Sequence, residues 1–330
     1  MKYLTHFLTT LLLLALLAAC VPVEAPSVPA GDVDEASTDA GATRTFMDDA
    51  GRTVEIPTDP QRIIALTDSN AAAMILSLGV PLVGMATRDE VFDSGITNVY
   101  DVSDVEPIGN YSAPNIELIA ALNPDLIIGA AWQDAPEFDY ETENMMQIAP
   151  VVYIDSFVNI DQTMATYGDL LGKEDEVVRQ KAEYEARVEE MRTQLGNKLE
   201  QLSVSIMLFS DPANVGTVGE GWWSIGKALQ DIGVTRPPMQ AADGPAGEEG
   251  WFQASVEEMP EFEADVVIYA DYGYDPFENE LFKGLAAVEA GQVYRFSEEF
   301  WNGTYAGLNF TLDQLEEMLL EEDIAVDLAL

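Results

Sequence analysis

The residues best suited to chemistry in this chain are aromatic. Trp132, Trp222, Trp223, Trp251 and Trp301, with Tyr111, Tyr272, Tyr274 and Tyr305, fall after strand-like runs or before helical ones, not on the stripes of long helices. Rings gathered at strand ends suit the stacking of a bulky organic molecule, with a few polar groups to orient it. Any one tryptophan could equally fill core space; the grouping favours a site. Arg88, just beyond Leu82-Val-Gly-Met, is the candidate cation for a carbonyl or an oxyanion. The competing role for Arg88 is a surface ion pair with Asp89, Glu90 or Asp93.

What the chain lacks narrows the chemistry further. Its single Cys is Cys20 and its single His is His6. Residues 1–19 carry Lys2, an apolar run from Phe7 to Leu17 and then Ala18-Ala19, the pattern of a cleaved signal peptide and too short to span a bilayer comfortably. Leu17-Ala18-Ala19-Cys20 resembles the bacterial lipobox, so Cys20 is expected to be acylated and to become the mature N-terminus. The alternative is an ordinary secreted protein with a stray Cys in its leader. A mature chain without imidazole has no Ser-His-acid triad, and neither a nucleophilic Cys nor a Gly-rich phosphate loop is present. Direct metal ligation is disfavoured and no resident cofactor is expected; haem would have only Tyr or Met to bind it. Among enzymes, a secreted glycoside hydrolase survives, because paired carboxylates and stacking rings are what that reaction needs. An adhesive or signalling domain is a third class.

The 59 acids outnumber the 15 bases and give a formal charge of −44. Such a field repels nucleic acid and anionic headgroups, so neither is an expected partner, and the membrane is reached only through the lipid anchor. Most of these acids read as a solvated surface.

Residues 20–43 hold the lipidated Cys and a Pro, Ala, Asp, Glu, Ser and Gly tether. Beyond it, short β-rich runs alternate with helical patterns: Ile63–Leu66, helix Ala71–Leu78, Leu82–Met85, helix Ile116–Leu122, Leu126–Ile128 and Val151–Ile154. This order predicts a small, mostly parallel sheet flanked by helices over residues 44–160. A connecting segment, 161–200, contains a stretch free of Gly and Pro at about 174–196, with Val177, Tyr184, Val188, Met191 and Leu195 on one stripe. As a helix it would run about 35 Å, enough to cross a whole lobe. From 201 to 330 the alternation resumes, with strands at Val204–Phe209, Val266–Tyr269 and Val293–Phe296. Helices are expected at Trp223–Asp231, Ser255–Phe262, Phe282–Ala290 and Leu312–Glu321. The fold class is therefore α/β, two lobes joined by one long backbone helix. An internal echo runs through both: Glu117 precedes Asp125, and Glu257 precedes Asp265, by the same interval.

Pro60-Gln-Arg-Ile-Ile-Ala-Leu, Leu78-Gly-Val-Pro-Leu-Val-Gly, Ile108-Gly, Pro114-Asn-Ile-Glu-Leu-Ile, Leu122-Asn-Pro-Asp-Leu-Ile-Ile and Gly291-Gln-Val-Tyr resemble the iron-siderophore and cobalamin substrate-binding proteins of ABC importers. The resemblance covers roughly residues 44–325. It implies a monomeric, extracytoplasmic lipoprotein that holds a metal complex between its lobes and docks on a permease, with its ATPase, through one acid from each lobe. Those acids fall on Glu117 and Glu257, where carboxylates can pair bidentately with arginines; the alternative for each is a first-turn acid complementing a helix dipole. By position, Trp132, Trp251 and Trp301 match the cleft aromatics of siderophore binders. Asn110-Tyr111-Ser112-Ala113 stands where hydroxamate binders often carry an Arg, so that contact is not carried over. The negative field favours a neutral or cationic guest, such as a ferric hydroxamate or a corrinoid, over a polyanionic tricatecholate.

Overall fold

Leu126–Ala130 and Val204–Phe209 are buried at every residue, as strands covered on both faces must be. Each is an inner strand of its own sheet, paired on both sides. The computed structural model describes residues 41–88, 92, 94–97, 99–135, 139–156, 159–295 and 303–320. The leader, Cys20, Trp301 and the acids Asp89, Glu90 and Asp93 lie outside the described residues.

The first half contains β1 (Thr43–Met47), β2 (Thr53–Pro57), β3 (Ile63–Ala65), α1 (Ala73–Ser77), β4 (Leu82–Thr87) and α2 (Ser94–Thr97). It continues with β5 (Glu106–Asn110), β6 (Ala113–Pro114), α3 (Ile116–Leu122), β7 (Leu126–Ala130), α4 (Asp139–Met145) and β8 (Val151–Ile154). Then come α5 (Ile160–Leu171) and the long α6 (Glu174–Leu195). The second half holds β9 (Val204–Phe209), β10 (Asn214–Val218), α7 (Trp223–Ile232), α8 (Pro245–Glu249), β11 (Trp251–Ser255) and β12 (Val266–Asp271). It ends with α9 (Glu280–Lys283), α10 (Ala286–Glu289), β13 (Val293–Arg295) and α11 (Tyr305–Leu319).

The N-terminal sheet has the order β6-β5-β4-β3-β7-β8 and is parallel apart from β6. The C-terminal sheet has the order β11-β10-β9-β12-β13, with β9, β12 and β13 parallel and β10 and β11 antiparallel. That antiparallel pair is absent from the sequence reading, which takes Trp251 as a loop residue. Its concealment has a physical cause: β10 carries Gly216, a weak strand former, and the Trp251 ring lies over the space that a side chain there would fill.

One face of each sheet opens onto a shared core. Ile63 and Ile128 from the first sheet and Ile206 and Ile268 from the second meet Tyr167 of α5, Tyr184 of α6, Leu229 of α7 and Leu312 of α11 in one cluster. The outer faces are covered separately, by Ile119 of α3 and Met145 of α4 on one side and by Met259, Phe262 and Phe282 on the other. The lobes thus share a helical middle layer.

The long helix forms as its pattern predicts. Val177, Tyr184, Val188, Met191 and Leu195 are buried, three acids occupy its first turn, and Arg192 sits in its last, complementing the helix dipole. At about 33 Å it reaches from one lobe to the other. Gln180 is also buried on this stripe, where its amide donates to the Ser77 carbonyl at 2.7 Å.

The internal echo has a structural basis. Asp125, just ahead of β7, accepts the backbone N–H groups of Gln61 (2.8 Å) and Arg62 (2.9 Å) at the entry to β3. Asp265, just ahead of β12, accepts the N–H (2.7 Å) and hydroxyl (2.6 Å) of Ser203 at the entry to β9. Each carboxylate pins neighbouring parallel strands in register. Asp125→Ala and Asp265→Ala are each expected to cost about 2–3 kcal/mol, because charge-assisted bonds are lost and their donors are stranded. Urea unfolding of the single and double variants checks this, and near-additive losses are expected for sites in separate sheets.

The lobes are tied together at Asp161, the first-turn acid of α5. It accepts the Tyr305 hydroxyl of α11 at 2.6 Å and faces Lys181 of α6 at 3.3 Å and Lys227 of α7 at 3.6 Å. Partial burial pushes its carboxyl up, but the Tyr305 hydroxyl and the two ammonium groups outweigh that and hold it below the ordinary aspartate value. A depressed native pKa means stability that is present above the unfolded value and lost as pH falls through the native one. Wild type should therefore lose stability more steeply below about pH 4 than Asp161→Asn does; parallel slopes in acid unfolding would contradict this.

Candidate functional site

The N-terminal wall is built at strand ends. β5 delivers Tyr111 and β7 delivers Trp132, and their rings meet edge to face, centroids 5.4 Å apart at 86°. Both are half-buried. Arg88 stands exposed at the end of β4, and its carbonyl accepts the side-chain amide of Asn110. Its guanidinium has no ion-pair partner among the described residues.

A second aromatic pair comes from the other half. Trp251 opens β11 and is 41% exposed; its ring lies 5.8 Å from that of Trp223 at 45°. Trp223 begins α7 at φ +50, a left-handed conformation that a bulky side chain adopts only under strain. One turn further on, Lys227 reaches Asp161 of the N-terminal half. Trp223→Ala should therefore cost roughly 1 kcal/mol more than Trp223→Gly, the reverse of the usual order inside a helix; equal midpoints in urea would refute the strain.

The halves repeat each other. Tyr111 and Trp251, Glu117 and Glu257, Asp125 and Asp265, and Trp132 and Tyr272 are four pairs at one constant sequence interval. Tyr272 follows β12 as Trp132 follows β7, and it is 40% exposed. Thr304, which caps α11, meets the Tyr100 hydroxyl of the first lobe at 3.0 Å.

Three of the expected ligand residues also have partners within the protein. Tyr305 is buried, its ring 6.2 Å from Tyr184 and its hydroxyl on Asp161, so it belongs to the lobe junction. Trp222 packs against the shared core and donates its indole N–H to the Gly247 carbonyl at 3.3 Å. Its ring fills the space where a side chain at Gly250 would stand. Tyr274 packs on the outer core of the second lobe. The sequence reading also passed over Arg295, which ends β13 and pairs with Asp271 at the end of β12. The argument that singled out Arg88, a cation kept at a strand's C-terminal end in an acidic chain, applies equally to it.

Glu117 and Glu257 occupy equivalent, exposed first turns on the outer layers. Asn115 caps α3 by accepting the Leu118 N–H at 3.0 Å. The expected helix at Ser255–Phe262 is a 3-10 segment, Val256–Phe262, with Pro260 inside it. The Ser255 hydroxyl bonds Glu257 and, with the residue's own backbone N–H, holds its carboxyl below the ordinary range. The expected helix at Phe282–Ala290 is interrupted at Gly284-Leu285, giving α9 and α10.

A groove of about 480 Å³ opens along α6, lined by Asp161, Lys181, Tyr184, Lys227 and Asp231 among others. It contains none of the aromatic pairs. Among the described residues no group of three or more His, Cys, Asp or Glu is placed to hold a metal, and no helix is long and apolar enough to cross a membrane.

The family model described as "Periplasmic binding protein" matches residues 64–299. The chain belongs to this family. The periplasmic binding proteins it resembles include the "Probable siderophore-binding lipoprotein YfiY" of Bacillus subtilis (strain 168), 27% identical over 337 residues, covering 97% of this chain and 99% of that protein. A solved FhuD fold-family protein of Bacillus subtilis, described as a periplasmic binding protein component of a Fep/Fec-like ferrichrome ABC transporter, superposes with a TM-score of 0.70. It is 25% identical and covers 84% of this chain and 100% of its own. Staphylococcus aureus SirA complexed with staphyloferrin B gives a TM-score of 0.65 at 26% identity, covering 84% and 98%. The two-lobed α/β fold is that of periplasmic binding proteins, a family of binders rather than catalysts.

Proposed function

We propose that this protein is an extracytoplasmic lipoprotein, anchored through Cys20, that captures a ferric siderophore for an ABC importer. The guest sits between the Tyr111–Trp132 and Trp223–Trp251 pairs, with Arg88 and Tyr272 at its margin. Glu117 and Glu257 then present the loaded protein to the permease. The observation that carries this reading is an aromatic pair on each half, Tyr111–Trp132 and Trp223–Trp251, the stacking surfaces that a bulky complex needs. Family membership supports it, as do relatives named for siderophore binding. The charge of −44 favours a neutral or cationic ferric hydroxamate over a polyanionic tricatecholate.

A ligand that prefers the folded state raises the melting temperature, by about 2.7 kcal/mol of added stability at a hundredfold excess over Kd. Ferrioxamine B is expected to shift the melting curve upward by several degrees, and ferric enterobactin, haem and cobalamin by less. No shift with any iron complex would reject the reading, and a larger shift with the tricatecholate would reject the charge argument.

A further inference from the structure

The two halves differ at the position that follows Trp132 and Tyr272. Beside Trp132 stands Gln133, a carboxamide only 3% exposed. Its oxygen accepts the backbone N–H of Ala130 at 2.9 Å, at the end of β7. Its nitrogen donates to the Tyr111 carbonyl at 3.2 Å, beyond β5, and reaches the Leu66 carbonyl at 3.5 Å, beyond β3. Three strand-end loops, two of them carrying the rings of the wall, thus converge on one side chain. Gly129 permits the approach: a Cβ there would stand 2.8 Å from the Gln133 oxygen and 2.7 Å from the Tyr153 ring. At the equivalent position after Tyr272 the second half has Gly273, at φ +112, with no side chain to do the same.

We infer that Gln133 is a positioning residue, which holds Tyr111 and Trp132 edge to face so that the N-terminal wall is rigid before the guest arrives. A glutamine is suited because the loops present it with an N–H and two carbonyls at once, and a carboxamide offers an acceptor and two N–H donors in one planar, uncharged group. A buried group that leaves such partners unmade strands each of them, so loss of the amide is felt at all three loops. Preorganisation of this kind lowers the ordering cost of binding. The consequence for affinity rests on the siderophore reading above; the consequence for the rings does not.

The test separates the two. Gln133→Met keeps the length and removes the hydrogen bonds. Gln133→Glu keeps the acceptor for Ala130 but, when ionised, aims a carboxylate at two carbonyls, a fault that protonation at low pH relieves by supplying one O–H donor for the nearer, that of Tyr111. The Trp132 contribution is isolated as the difference between each protein and its Trp132→Phe counterpart, by near-ultraviolet circular dichroism and by acrylamide quenching. Gln133→Met is expected to flatten the Trp132 dichroism and to raise its quenching about twofold, with the Trp223–Trp251 signal unchanged; affinity for ferrioxamine B should fall roughly tenfold, as for one stranded buried partner. Gln133→Glu should move toward wild-type Trp132 dichroism as pH is lowered, which a merely structural residue would not do. An unchanged Trp132 signal in Gln133→Met, or a Gln133→Glu signal independent of pH, overturns the inference. If wild type binds no ferrioxamine B, the siderophore reading fails while the Trp132 signals still decide the role of Gln133.

Discussion

Trp132→Ala is expected to weaken binding of ferrioxamine B about 30-fold or more while leaving the fold intact. A half-buried indole that meets a guest at the centre of its site is the type of contact whose truncation costs about 2 kcal/mol or more. Because Trp132 stands at a strand end against Tyr111, its loss removes a wall and not a core. The matched control is Trp222→Ala, a tryptophan from the same part of the sequence pattern that packs on the shared core. It should leave affinity nearly unchanged and cost about 3 kcal/mol of stability, the ordinary penalty for emptying a packed aromatic site. Isothermal titration of both variants, with urea unfolding alongside, reads the contrast. Equal effects of the two on affinity would mean that the site is not where the ring pairs place it.

Charge reversal at the exposed glutamates should have the opposite profile. Glu117→Arg and Glu257→Arg are each expected to leave ferrioxamine B affinity as it is, since both residues stand on outer layers. Each should cut siderophore-dependent uptake of radioactive iron about tenfold or more, the scale expected when a paired interfacial charge is replaced by a repulsive one. Their equivalence in the repeat predicts that neither reversal is milder than the other. Uptake at the wild-type rate with either variant would remove that glutamate from the docking surface.

Much of this was legible in the sequence, for identifiable reasons. β7 and β9 show because strands covered on both faces are continuous apolar runs, and α6 shows because a 22-residue amphipathic stripe without Gly or Pro has few other solutions. The echo of Glu117 and Asp125 in Glu257 and Asp265 shows because helix-to-strand connections fix a carboxylate ahead of an inner strand. What stayed hidden was set by tertiary contact. β10 and β11 depend on the Trp251 ring covering Gly216, a fit between residues far apart in sequence. Arg236 and Gln240 have no place in the sequence pattern, yet both are buried in the second lobe, where Arg236 donates to the Val218 carbonyl at 3.0 Å and burial lowers its pKa to about 10. Trp222 and Trp223 are adjacent, chemically identical and both packed against the shared core; only the fold lays one ring over Gly250 and the other beside Trp251. Gln133 and Asp161 likewise acquire their roles from what other elements bring to them, and no local pattern marks a polar residue for that.

The most direct examination is a crystal of the protein grown with ferrioxamine B and measured at the iron absorption edge. A single anomalous iron peak lying between the Tyr111–Trp132 and Trp223–Trp251 pairs is the predicted result. Iron found along the groove on α6, at the surface carboxylates, or nowhere in the crystal would contradict it.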